Sequence, residues 1–456
     1  MATQPLRESR RRIARRCAFL LLFAALVVKP SRPIRAQTEG VLDPSFYFDG
    51  KYTLPPGSGN QTIWAMVAAP DGRLVVAGYR NAPGGESTLF WAALDGETAP
   101  TICSPVTVAG GTSAGAHAAA FDDQGRLLLA GSAAFGLAGQ EGIALRYLYP
   151  ACDLDETWNG DGIFVSSQTL SASFEGIAVD SQQRVVLGGN TPGGDTVLAA
   201  RLTTSGLYDF GFAGDGHLEL DLGAGVEIAA MRLQADDRIL LGGSIANPAE
   251  NRNFLAVRLD PLGDLDSTFS GDGVAEVDFG LEHDSAYDLA VDPVGGGLIL
   301  VGKSGYPLPV AAVARLNSAG VLDSTFGGGD GRWTDSVADI TALSAVMVQS
   351  DGKLLLAGDF KDVDEDYDFL AYRLTPGGTL DGSFGFFGAA SVAFNLGGNL
   401  HDSVEAAALH DGKLLLAGSA DDDPSSPGAV ARLWIALLFA DGFESGASGQ
   451  WSAVEP

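Results

Sequence analysis

One phrase, ending in glycine, recurs seven times and limits the possible folds more than anything else in the chain. Its first copy reads Asp71-Gly72-Arg73-Leu74-Val75-Val76-Ala77-Gly78, and later copies close on Gly131, Gly189, Gly243, Gly302, Gly358 and Gly418. The intervals between those glycines are 53, 58, 54, 59, 56 and 60 residues. Periods of this size belong to solenoids, propellers and arrays, in which one supersecondary unit repeats.

Two more phrases accompany each copy. Ala200-Arg201-Leu202, Val257-Arg258-Leu259, Ala314-Arg315-Leu316, Tyr372-Arg373-Leu374 and Ala431-Arg432-Leu433 follow the glycine; Arg146 holds the place in the second copy and Ala93 replaces it in the first. Next comes Leu265-Asp266-Ser267-Thr268-Phe269 with Gly271-Asp272-Gly273, whose relatives start at Leu322, Leu380, Leu154, Tyr208 and Leu42; the segment around Cys103 has lost its copy. Each repeat reads as four short strands, in the fifth copy Val274–Phe279, Ala286–Val291, Leu298–Gly302 and Ala311–Leu316. Asp-Gly pairs such as Asp351-Gly352 and Asp411-Gly412 predict tight type I′ hairpins. Leu354-Leu355-Leu356-Ala357 is apolar without alternation, so both faces of that strand must be covered. A four-stranded sheet covered on both faces by copies of itself is a propeller blade. The reading is an all-β, seven-bladed β-propeller of about 57-residue repeats.

The three phrases in fixed order resemble the delta-60 repeat family of bacterial secreted proteins, over residues 40–433 or so. The resemblance implies a propeller-like fold and carries no known activity.

The chain begins with a basic stretch, Arg7 to Arg16, followed by an apolar run from Cys17 to Val28, so residues 1–36 read as a secretory signal peptide too short to span a membrane. Residues 37–434 are one propeller domain. Residues 435–456, with Phe439-Ala440-Asp441-Gly442-Phe443-Glu444-Ser445-Gly446, resemble a terminal motif on secreted proteins of Gram-negative bacteria and read as a sorting or processing tag, with a frayed last strand as the alternative. The expected location is therefore secreted or cell-envelope, in a Gram-negative bacterium. Without residues 1–36 the chain has 19 basic and 56 acidic residues, net −37, which argues against nucleic acid or anionic lipid as partners. Twelve of those 19 basic residues belong to the repeat phrases, which leaves too few for a basic patch.

Candidate chemistry is sparse. Arg and Asp stand eight residues apart in four copies (Arg201–Asp209, Arg258–Asp266, Arg315–Asp323, Arg373–Asp381), the mark of a structural ion pair. Asp362, Asp364, Asp366 and Asp368 alternate on one segment and form a weak candidate for calcium, although Tyr367 stands where such loops carry glycine. Cys103 and Cys152, the two cysteines left after export, are expected to form a disulfide. None of His117, His217, His283, His401 and His410 has metal-ligand spacing to another, and no nucleophile elbow or phosphate loop is present. The expected function is a monomeric binding or interaction module for an extracellular protein or glycan, without cofactor. The alternatives are a carbohydrate-active or other hydrolytic enzyme on the same scaffold, and a structural surface component. The discriminator is asymmetry: an enzyme needs non-repeat polar residues converging at one channel mouth, whereas a binding surface or a structural ring need not have them.

The two ends of the repeat region are complementary. Leu42-Asp43-Pro44-Ser45-Phe46 has no arginine strand before it, and the strand of Arg432 has no such phrase after it. Residues 40–54 are therefore expected to dock on the last blade, with Arg432 facing Asp43.

Overall fold

The computed structural model describes residues 39–435 except 56–58, 82–85, 107, 109–110, 137–138, 167–171, 192–193, 195, 224, 248–250, 336–339, 362–365, 395, 397–400 and 421–425. The chain divides into Met1–Gln37 and a second unit, Thr38–Pro456, that holds every described strand. The signal-peptide and sorting-tag segments lie outside the described residues, apart from Ile435.

The described strands form seven antiparallel four-stranded sheets and no α-helix. In blade one the order is Gln61–Ala68, Leu74–Asn81, Ser87–Leu94 and Thr101–Val106, and blades two to six repeat it. The first strand of each blade contacts the first strands of both neighbours, and the last returns to the first, so seven inner strands enclose an axial channel. Seven apolar clusters separate the blades, one per interface. The unbroken run at 354–357 is explained by two of them: Leu354 and Leu356 face blade five, while Leu355 and Ala357 face blade seven.

The ring closes by exchange of its ends. Lys51–Thr53 pairs with Gly428–Trp434 as the outermost strand of blade seven. Phe46 and Leu54 are fully buried between blades seven and one. Arg432 Nε lies 2.8 Å from Asp43 Oδ2.

Two readings of the sequence are corrected. The strand at Val274 pairs with Arg252–Leu259 and completes blade four rather than opening blade five, so the sequence repeat and the blade differ in phase by one strand. The Asp-Gly turns also differ among themselves. Among the described Asp-Gly pairs only Asp411 and Gly412 both take positive φ (49° and 66°), as a type I′ turn requires. At Asp351-Gly352 only the glycine does, because the Asp351 carboxylate accepts the Lys353 N–H at 3.1 Å and widens the loop.

The three phrases meet in one clasp between the third and fourth strands. Asp266 accepts a hydrogen bond from Arg258 Nε at 2.8 Å, and the Arg238 guanidinium forms a second ion pair with it at 2.9 Å. Arg258 also covers the Phe269 ring at 4.7 Å and donates to the Ser318 carbonyl of the next blade at 2.6 Å. Phe269 in turn packs on that blade at Gly320 (φ +77°), where a Cβ would stand 2.9 Å from the ring. The arginine–aspartate pair over an aromatic ring recurs at Arg146–Asp155, Arg201–Asp209, Arg315–Asp323 and Arg373–Asp381. Burial alone would raise these carboxyls. The hydroxyl and amide of Thr157, Thr268 and Thr325, together with the arginine, outweigh it, so Asp155, Asp266 and Asp323 sit below the usual range, Asp266 at about 2. Blade one has Ala93 and no clasp. There Cys103, on the fourth strand opposite Trp91 of the third, is joined to Cys152 of blade two, with Cα atoms 5.2 Å apart.

Candidate functional site

The recurring glycine explains how side chains reach the channel. Every inner strand carries a β-bulge at the same place, at Trp64, His117, Glu175, Ala229, Tyr287, Ser344 and Glu405. The bulge pushes the carbonyl two residues earlier against the second strand. A Cβ on Gly78, Gly131, Gly189, Gly243, Gly302, Gly358 or Gly418 would lie 1.8–2.2 Å from that oxygen, so only glycine fits. Each bulge turns one side chain into the channel, and those seven positions carry six different residue types.

They gather at one mouth, a cavity of about 400 Å³ that also takes in Asp359 and Ser403. His117 Nδ1 lies 2.8 Å from Glu175 Oε2, and the Trp64 ring meets the His117 ring edge-on at 4.8 Å. Ser173 donates to the other oxygen of Glu175 at 2.5 Å. Desolvation in the channel pushes the Glu175 carboxyl up, but His117 and Ser173 more than offset it and hold it below the ordinary value. Across the mouth the balance is reversed. Asp359 accepts the Val404 N–H at 2.7 Å and the Ser403 hydroxyl at 3.2 Å. Desolvation, with added repulsion from Glu405 and Asp402, pushes Asp359 up to about 7. Glu405 reaches solvent only inside the channel, and the loss of bulk hydration raises its carboxyl too. The mouth thus pairs an ionised carboxylate held by histidine with a carboxyl that takes up a proton near neutrality. Tyr287 supplies a second aromatic face, with Lys303 Nζ 5.5 Å from its centroid.

Sequence reasoning named none of these residues as a site. The available signal was positional: counted back 13–15 residues from each phrase glycine, the residue changes from copy to copy. The calcium candidates fall elsewhere. Asp362 and Asp364 lie outside the described residues. Asp366 and Asp368 are described, and Asp368 belongs to the strand Tyr367–Leu374, opposite Phe360, rather than to a loop. Among the described residues no three His, Cys, Asp or Glu side chains stand close enough to hold a metal ion.

Three segments, 234–269, 296–326 and 349–384, match the family model described as "Domain of unknown function (DUF5122) beta-propeller". Each runs from the turn after an inner strand through the clasp aromatic, and none includes an inner strand. No curated protein matches the chain. Among solved structures, a protein of unknown function from Dyadobacter fermentans is 15% identical over 85% of this chain and 98% of its own, with a TM-score of 0.44. An ulvan lyase of polysaccharide lyase family PL25 is 8% identical over 88% and 96%, TM-score 0.44. The polysaccharide lyase Uly1 is 10% identical over 90% and 100%, TM-score 0.44.

Proposed function

We propose that this chain is an exported repeat propeller of the delta-60 kind that binds a hydroxyl-rich extracellular ligand, a glycan, at the mouth of its channel. One observation carries the reading: the symmetry-related bulge positions hold unlike residues at a single mouth, while the clasps stay alike. A ring with only a structural task has no use for that asymmetry. Trp64 and Tyr287 offer aromatic faces that suit the C–H faces of a sugar ring, and Glu175, Ser344 and Glu405 can exchange hydrogen bonds with hydroxyls. The excess of carboxylates there opposes an anionic sugar. The apolar run after a basic start and the Cys103–Cys152 bridge support export.

The test is calorimetric titration with neutral, amino and uronic oligosaccharides. Neutral or amino sugars should bind, and Glu405→Gln or Tyr287→Ala should weaken them at least about tenfold, the loss of ~1.4 kcal/mol or more. Binding indifferent to both substitutions, or none at all, would reject the reading.

A second reading, acid–base catalysis on the same glycan, is favoured by Asp359. A carboxyl that titrates at about 7 is suited to donate a proton while Glu175 remains ionised. Chain cleavage lost in Asp359→Asn with binding retained would select it.

A further inference from the structure

We infer that the seam between blades one and two is a binding groove for a linear, neutral polysaccharide chain leading radially outward from the channel mouth. This rests on the glycan reading above and names the form of the ligand. The mouth cavity adjoins a groove of about 570 Å³, with Trp64 and His117 as walls of both. That groove meets a further hollow of about 110 Å³ through Ser87, Ser113 and Ala114. The three hollows lie in series from the axis towards the rim, and a chain following them would occupy one trough.

This seam lacks a closure that three others have. At three other interfaces the residue after the phrase glycine closes the gap by accepting an N–H of the next inner strand. Asn190 accepts from Ile228 at 2.9 Å, Ser244 from Ala286 at 3.2 Å and Asp359 from Val404 at 2.7 Å. At the first seam that residue is Tyr79, whose ring lies on Trp64 instead, with centroids 4.5 Å apart. Gly115 cooperates: a Cβ there would stand 3.0 Å from the Trp64 indole, so its absence makes room for the ring. Two adjoining aromatic plates therefore form the inner end of the trough.

The chemistry of the rest fits sugar hydroxyls. The walls carry Asn81, Ser87, Ser113, Ser132 and Gln140. Ser113 Oγ accepts the Ser87 N–H across the seam at 3.1 Å, and Ser87 donates to Asn81 at 2.8 Å, which fixes the floor. Hydroxyl and amide walls beside aromatic plates suit a polyhydroxylated chain better than a peptide, whose side chains would need apolar pockets.

The experiment uses neutral β-linked gluco-oligosaccharides of increasing length on the mature protein, with melting temperature recorded for every variant. Affinity should rise about tenfold or more from the dimer to the hexamer as the chain fills the trough. Ala134 also lines the groove, so Ala134→Trp, which obstructs it, and Tyr79→Asn, which supplies the closing acceptor found at Asn190, should remove that gain. Ala134→Trp should leave the dimer unaffected. Binding without length dependence, or length dependence that survives both substitutions, would overturn the groove and leave the mouth standing. No binding at any length would overturn the glycan reading and the groove with it. Saturation by an extended peptide but by none of the sugars would assign the trough to protein and refute the proposal.

Discussion

The outer half of each blade and its inner strand follow opposite rules. At the outer clasp, arginine, aspartate and an aromatic ring recur in six of seven blades, and the seventh substitutes a disulfide. At the channel mouth, the equivalent positions are Trp64, His117, Glu175, Ala229, Tyr287, Ser344 and Glu405. The clasp must solve the same packing problem at every interface, so its solution repeats. The mouth faces a single point on the axis, where seven copies of one residue would bring like charges or bulky rings into conflict. The family match follows this division, covering clasps and leaving out inner strands. Within a repeat protein, departure from the repeat is therefore the better guide to function.

The sharpest break in the comparison would come from removing the shared clasp that closes the ring. Deleting residues 40–54 takes away Asp43, the outermost strand of blade seven, and the buried Phe46 and Leu54, each worth about 1.5–3 kcal/mol of burial. The expected outcome is aggregation or loss of cooperative melting, because the faces of blades one and seven are bared. A soluble monomer with unchanged melting temperature would contradict a closed ring.

Next in size is a direct contrast between the two regions. Arg258→Ala leaves Asp266 buried without its main partner and should cost about 3–5 kcal/mol in denaturant unfolding. Tyr287→Ala removes a half-buried ring facing the channel and should cost no more than about 1 kcal/mol while weakening the ligand. Equal costs would erase the distinction.

The smallest effect is the most diagnostic, since the two regions respond to pH with opposite sign. Clasp carboxyls are depressed, so their contribution is present above the unfolded carboxylate range and is lost as pH falls through the folded values, towards about 2 for Asp266. Asp359 and Glu405 are raised, so their ionisation opposes folding, and stability should grow as pH drops through about 7 towards the unfolded carboxylate range. Melting temperature should therefore rise slightly to a maximum on the acid side of neutrality and fall steeply below pH 4. In Asp359→Asn the first rise should shrink while the acid limb stays in place.

Much of the scaffold could be read along the chain. The seven glycines, the apolar run at 354–357 and the eight-residue interval from arginine to aspartate are local patterns, and local patterns report strand, turn and covered face. The complementary ends at Asp43 and Arg432 even indicated how the ring closes. Other properties arise only when distant segments meet. The phase of strand against blade depends on which neighbour Val274–Val277 pairs with, and both neighbours offer a similar edge. The pairing of His117 with Glu175, and of Asp359 with Glu405, joins residues on different blades whose side chains converge because seven bulges point at one axis. The sequence by itself determined the repeating clasp, since its partners lie a few residues apart. Only the closed ring decided the mouth, because its environment is built from seven strands at once and no interval in the chain encodes their common centre.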